Sequence, residues 1–152
     1  MVTLIDGMKA YLKDSTAYYA KHGDPKSRSK KLKKRDKKWV AKALDIAKKV
    51  RNKLKNMPSR YECDGNSDDC DGNARAHTMG FSFNSVKFCS PYLKMTVDRK
   101  TAVLVHEISH NFGTDDITYN RKKIKDITWW NNAETYEWWF EKGQFCVPGY
   151  DC

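Results

Sequence analysis

The stretch Val103-Leu-Val-His106-Glu107-Ile-Ser-His110-Asn-Phe-Gly113-Thr114-Asp115-Asp116-Ile-Thr-Tyr119 decides how the rest of the chain is read. Val103, Leu104, Val105 and Ile108 surround His106, Glu107 and His110 with apolar residues, so the segment predicts a helix buried on most sides. Histidines four residues apart project from one helix face about one turn from each other, which is the spacing of a His-Glu-x-x-His zinc site. Unpaired imidazoles and a carboxylate buried in such a helix are costly, and a metal ion satisfies all three. Zinc lowers the pKa of a water it holds to roughly 7, and Glu107 is placed to take that water's proton. One Zn2+ per chain is therefore expected. Gly113, with no Cβ to oppose a left-handed cap, ends the helix and lets the chain fold back. The first acids positioned to return are Asp115 and Asp116. The competing reading, a surface helix with two satisfied histidines, does not account for the apolar neighbours.

The continuation Gly113-Thr114-x-Asp116-x-x-Tyr119 resembles the Gly-Thr-x-Asp-x-x-Tyr signature of the aspzincins, the deuterolysin and peptidyl-Lys metalloendopeptidase family. Downstream, Asn132-Ala133-Glu134-Thr135-Tyr136-Glu137-Trp138-Trp139-Phe140 is similar to that family's Asn-Ala-Asp-Ser-Tyr-Glu-Tyr-Phe block, and Phe88-Cys89-Ser90-Pro91 resembles the strand end before its zinc helix. The resemblance spans roughly Tyr61 to Phe140. It implies His106, His110 and Asp116 as zinc ligands, Glu107 as general base and Tyr119 as donor to the oxyanion. In the peptidyl-Lys members the acids of the second block line the pocket for the residue after the scissile bond. They match Glu134 and Glu137, which implies cleavage on the amino side of lysine.

This sequence departs from the family pattern in two places. Only Asn111-Phe112 separates His110 from Gly113, and Glu134 stands where Asp is usual. The short spacing also fits the metzincin frame His-Glu-x-x-His-x-x-Gly-x-x-(His or Asp), again selecting Asp116. A metzincin places a Met-turn after this motif, whereas Met1, Met8, Met57, Met79 and Met95 all precede it. A gluzincin would take Glu134 or Glu137 as third ligand, leaving the Gly-Thr-x-Asp-x-x-Tyr run unexplained. A rival of another class is a basic zinc-containing binding domain with little catalysis. Glu107, which a structural zinc site does not require, favours the enzyme.

Working outward, the chain's 152 residues predict a single domain, 1–152, with a basic helical part to residue 60 and the zinc site in 61–152. Leu4, Ile5, Met8, Tyr11, Leu12, Tyr18 and Tyr19 recur at helical spacing, predicting one helix from Thr3 to Tyr19. Residues 21–55 hold 16 Lys and Arg against three Asp, a local excess of 13 where the whole chain carries +10. Trp39, Val40, Ala43, Leu44, Ala47, Val50 and Leu54 keep helical spacing through that segment up to Pro58, so a helix with one buried stripe and a charged outer face is expected. No recognition motif or stacking platform accompanies the charge, and nucleic acid is not an expected partner. Protein or peptide substrates are.

Tyr61 to Asn73 is dense in turn formers. Asp64, Asn66 and Asp68 mimic a calcium loop, but Asp69 and Arg75 stand where its glycine and bidentate glutamate belong. Phe81 and Phe83, a turn at Asn84-Ser85, then Val86 and Phe88 read as a hairpin beside the zinc helix. Asp98 is expected to cap that helix, with a body from about Arg99 to Phe112, and a last helix is expected from Asn132. Five cysteines without a Cys-x-x-Cys pair favour disulfides and an exported protein. Cys146 and Cys152 can close a short loop, the family resemblance implies Cys70 with Cys89, and Cys63 is left odd. No run approaches the ~20 apolar residues that span a bilayer, and charges within residues 1–20 leave no signal-peptide core. A secreted monomer is the expectation, either excised from a longer parent or relieved of a pro-segment, or else exported by a route that uses no cleaved signal. The fold class expected is α+β, a zincin-like metalloprotease domain, mainly helical with a small sheet.

Overall fold

The computed structural model describes residues 1–22, 30–56, 61–63, 76–78 and 86–148. Helix α1 (Val2–Lys13) buries Leu4, Ile5, Met8 and Tyr11 and stops at Asp14, whose backbone turns extended. The Asp14 carboxylate accepts the backbone N–H groups of Thr16 and Ala17, each at 3.0 Å, and so starts α2 (Ser15–His22). The single helix expected over Thr3–Tyr19 is thus two, because an aspartate offers the chain a better cap than a helix interior. Tyr18 returns to the core by donating to the Phe145 carbonyl at 3.2 Å.

The basic segment forms α3 (Lys30–Lys55), with Val40, Ala43, Leu44, Ile46, Ala47 and Val50 buried. Helix α3 packs against α1 and α5. The lysines take the outer face, where solvent meets their charge at little cost.

Strands β1 (Tyr61–Cys63), β2 (Ala76–Thr78) and β3 (Val86–Phe88) form a sheet in the order β1-β3-β2, with β1 parallel and β2 antiparallel to β3. The antiparallel neighbour of β3 is Ala76–Thr78; the Phe81–Phe83 arm expected there lies outside the described residues. Edge strand β2 packs on α5, the side on which an edge beside the zinc helix was expected. A short helix α4 (Ser90–Leu93) then leads to α5 (Val97–His110). Thr96, not Asp98, caps α5: its backbone is extended and its Oγ1 accepts from Arg99 N at 3.4 Å, while Asp98 sits in the first turn. The helix gives way at Asn111, and Gly113 takes the left-handed conformation at φ +87°.

Two short 3-10 helices (Arg121–Asp126 and Trp129–Asn131) precede α6 (Ala133–Lys142), which ends on the left-handed Gly143. Helix α6 packs along α5. Trp129, Tyr136 and Trp139 are fully buried, with Trp139 meeting Trp129, Tyr136 and Phe145 edge-on. These rings wedge α6 into the core, so its position relative to α5 has little freedom. Cys89 and Cys146 are buried and each belongs to a disulfide; Cys70 and Cys152, their expected partners, and the calcium-like loop lie outside the described residues.

Candidate active site

Helix α5 presents His106, Glu107 and His110 on its last turns, with His106 and Glu107 buried. Beyond Gly113 the chain doubles back beneath the helix end. Thr114 holds it there: its Oγ1 lies 2.7 Å from Ser109 Oγ, which also contacts the His106 carbonyl at 2.7 Å. The Thr114 carbonyl meets His110 Nδ1 at 2.9 Å.

That fold-back separates the two neighbouring aspartates. Asp115 turns toward α6: its N–H donates to Asn131 O at 2.8 Å, its carbonyl accepts from Ala133 N at 3.0 Å, and its carboxylate accepts from Asn131 Nδ2 at 2.8 Å. Asp116 turns toward the histidines, its Oδ1 lying 3.0 Å from His106 Nε2 and 3.5 Å from His110 Nε2. One donor atom from each of His106, His110 and Asp116 therefore lies within 4.8 Å of the others.

The opposite ring nitrogens face oxygen as well. His106 Nδ1 is 3.1 Å from Glu137 Oε2 and 4.0 Å from Glu134 Oε2. Oxygen atoms on the Nδ1 side of both rings and Asp116 on the Nε2 side fix how the rings are turned, the second layer that zinc-binding histidines carry. Two imidazole nitrogens and a carboxylate oxygen form a donor set suited to zinc, so these residues fit the ion that the sequence implies. Glu134 and Glu137 approach His106 through Nδ1, on the far side of the ring from Asp116.

The electrostatics follow from this crowding of acids. Burial alone would lower the His106 pKa, but the Asp116 and Glu137 carboxylates and the Glu107 charge raise it to about 10 in the metal-free protein. Burial works to raise Asp116, and the contacts to His106 and Tyr119 overcome it, holding the carboxyl below its ordinary value. Burial, then the contact with Asp116, pushes the Tyr119 phenol well above its ordinary value and keeps it a proton donor. The Tyr119 ring stacks on His106, centroids 5.8 Å apart and planes 11° from parallel, leaving the residue 63% exposed at the site's mouth.

Glu134 and Glu137 share one face of α6, both buried, as three-residue spacing predicts. Each already has a cation. Arg99 of α5 meets Glu137 Oε1 at 2.7 Å, Arg121 Nε meets Glu134 Oε1 at 2.7 Å, and both guanidiniums reach Glu141. Burial, helped by the Glu137 charge and opposed by Arg121, still raises the Glu134 carboxyl. Sequence reasoning passed over Arg99, Arg121 and Glu141, which come from three elements and carry no joint spacing. The available signal was the burial of two glutamates on one helix, which demands cations. It also passed over the role of Asn132, fully buried, whose Oδ1 accepts from Ile117 N and Thr118 N at 3.0 Å each and whose Nδ2 donates to Thr118 O at 3.2 Å. That amide fixes the loop between Asp116 and Tyr119.

Two histidines one turn apart on a helix, with a carboxylate oxygen from the following loop set between them, is the donor arrangement of a zincin-type metallopeptidase. The family model of the aspzincins, described as lysine-specific metallo-endopeptidase, matches residues 14–141, and the chain belongs to that family. It is accordingly a zinc metalloendopeptidase acting on protein or peptide substrates. A search of the curated proteins finds no match. Among the described residues no helix is long and apolar enough to cross a membrane.

Proposed function

We propose that this endopeptidase holds its zinc through His106, His110 and Asp116 and cuts on the amino side of lysine. The observation that carries the ligand assignment is the convergence of both Nε2 atoms on Asp116 Oδ1 while both Nδ1 atoms face oxygen. When bound, zinc supplies Lewis-acid polarisation of the scissile carbonyl and a lowered pKa for the attacking water. Glu107, in the helical turn between the histidines, accepts the water proton and passes it to the leaving amine. Tyr119 donates its phenolic proton to the oxyanion that develops on the carbonyl oxygen, and its raised pKa keeps that proton in place at working pH.

The lysine reading rests on Glu134 and Glu137. Buried carboxylates sharing one helix face favour a cation, and the long stem of lysine delivers an ammonium to that depth. Arginine is bulkier and its planar fork needs another geometry. The buried, disulfide-bonded Cys89 and Cys146 support an exported destination, and a monomer serves this chemistry without a second copy. Sequencing the fragments of a denatured protein substrate tests the specificity: lysine should be enriched directly after the cut. Cuts scattered without that enrichment, or enrichment unmoved by Glu134→Ala with Glu137→Ala, would reject it.

A further inference from the structure

A cavity of about 430 Å³ opens beside Tyr119, lined by Arg99, Tyr119, Arg121, Glu134 and Glu141. Since Tyr119 stacks on His106, this cavity lies next to the reacting centre and is large enough for a long side chain. Its lining sets two carboxylates, Glu134 and Glu141, against two guanidiniums, Arg99 and Arg121, so the charges balance. Arg99 comes from α5 and joins Glu137 to Glu141. Arg121 comes from the 3-10 helix just past Tyr119 and joins Glu134, at 2.7 Å, to Glu141, at 2.6 Å.

We propose that Arg121 is a specificity-determining gate: its guanidinium stands at Glu134 where the ammonium of a substrate lysine must bind, so the chain carries its own competitor for the lysine pocket. This rests on the reading of Glu134 and Glu137 as that pocket. A substrate lysine gains the Glu134 carboxylate only by displacing a cation that holds it with one short charge-assisted contact and is braced by a second on Glu141. Arg121 is suited to yield, because its side chain is 36% exposed while that of Glu134 is 6% exposed, and a displaced guanidinium finds water at once. Arg99 is less exposed and anchored in α5, and it stays with Glu137. The competition is felt by lysine alone. A peptide with alanine after the scissile bond asks nothing of Glu134, so Arg121 weakens the binding of lysine peptides in particular.

Removing Arg121 takes away the competitor and leaves the lining with one net negative charge. Arg121→Gln should raise kcat/KM for a peptide with lysine after the scissile bond at least about tenfold relative to its alanine counterpart. The gain should appear in KM, since it is binding that ground and transition states share. n-Butylammonium chloride, a lysine side chain without a backbone, should inhibit cleavage of the alanine peptide about tenfold more strongly in the variant. Zinc stoichiometry and melting temperature, measured on both proteins, verify that the fold is kept; Arg121→Met serves the same comparison should Arg121→Gln misfold. A lysine preference in the wild type that both substitutions leave unchanged, or a fall in both peptides together, would overturn the gate while the lysine pocket stands. Zinc-loaded wild type and variant that cut both peptides without preference would overturn the gate and the lysine pocket together.

Discussion

At the scale of single residues, the site turns on which aspartate reaches the histidines. Asp115 and Asp116 are neighbours of the same type, yet the first is tied to Asn131 and the strand-like contact with α6, which leaves the second facing His106 and His110. Asp116→Ala should therefore weaken zinc binding by more than about a hundredfold, a larger loss than an outer-layer change brings, while Asp115→Ala keeps the ion. A metal titration in which the two variants behave alike contradicts the ligand set. Glu107→Gln should retain the zinc and lose about a hundredfold to ten-thousandfold in turnover, the contribution of a positioned general base. His106 adds a pH dependence. Its pKa in the metal-free fold is about 10, above the ordinary 6.5. A folded-state pKa raised in this way contributes stability that is full below about pH 6.5 and lost as the pH climbs through about 10. Chelated protein should thus melt at a lower temperature at pH 9.5 than at pH 6.5. Apparent zinc affinity should move the other way, rising with pH as the competing proton leaves. Melting that is flat with pH in the chelated protein removes this account of His106.

At the scale of elements, the last turns of α5, the loop 113–119 and the start of α6 act as one unit. Asn132 is the joint, its Oδ1 accepting two N–H groups of the loop from the N-cap position of α6. Asn132→Ala takes the acceptor from those part-buried donors, which should cost about 1–3 kcal/mol in all. It should also cut zinc affinity about ten- to a hundredfold, although Asn132 is not among the proposed ligands. Unchanged melting and zinc affinity together would show that the loop holds its shape without the joint. Much of this unit is legible in the sequence, because helical spacing, a glycine stop and the Gly-Thr-x-Asp-x-x-Tyr run are local patterns that fix α5, the reversal and the candidate donors. Less local features are not. The break at Asp14 turns on whether an aspartate side chain caps or points to solvent, and the spacing of Leu4 to Tyr19 fits one helix or two. Thr96 and Asp98 are both good caps, and only the backbone's entry angle decides between them. The arginine–glutamate network joins Arg99, Arg121, Glu134, Glu137 and Glu141 across three elements, and no periodicity announces pairs made by packing.

At the scale of the whole molecule, the positive charge and the proposed chemistry meet in a self-protection problem. Helix α3 concentrates lysines, the residue the proposed pocket takes, and its buried stripe holds it helical against α1 and α5. An endopeptidase binds its substrate extended, by strand addition, so a packed helix is refractory until it opens locally. Incubated near its melting temperature, the zinc-loaded protein should nick itself first on the amino side of lysines in α3, and chelation or Glu107→Gln should stop it. First cuts placed elsewhere, or cuts that persist in Glu107→Gln, would count against either the specificity or the base. The aromatic wedge of Trp129, Tyr136 and Trp139 sets the other end of the scale, fixing α6 against α5 and with it the distance from Glu137 to His106.

The central claim is that one zinc held on α5 and its following loop, with Glu107 as base, cleaves peptide bonds. It is tested most directly by stripping the protein with a chelator and titrating zinc back while following hydrolysis of a lysine-containing quenched peptide. The rate should rise in proportion to added zinc and stop at one ion per chain, with Glu107→Gln taking up the same single ion at about 1% of the rate or less. Full activity in the stripped protein, a break at any other stoichiometry, or a Glu107→Gln rate within a few-fold of wild type would contradict it.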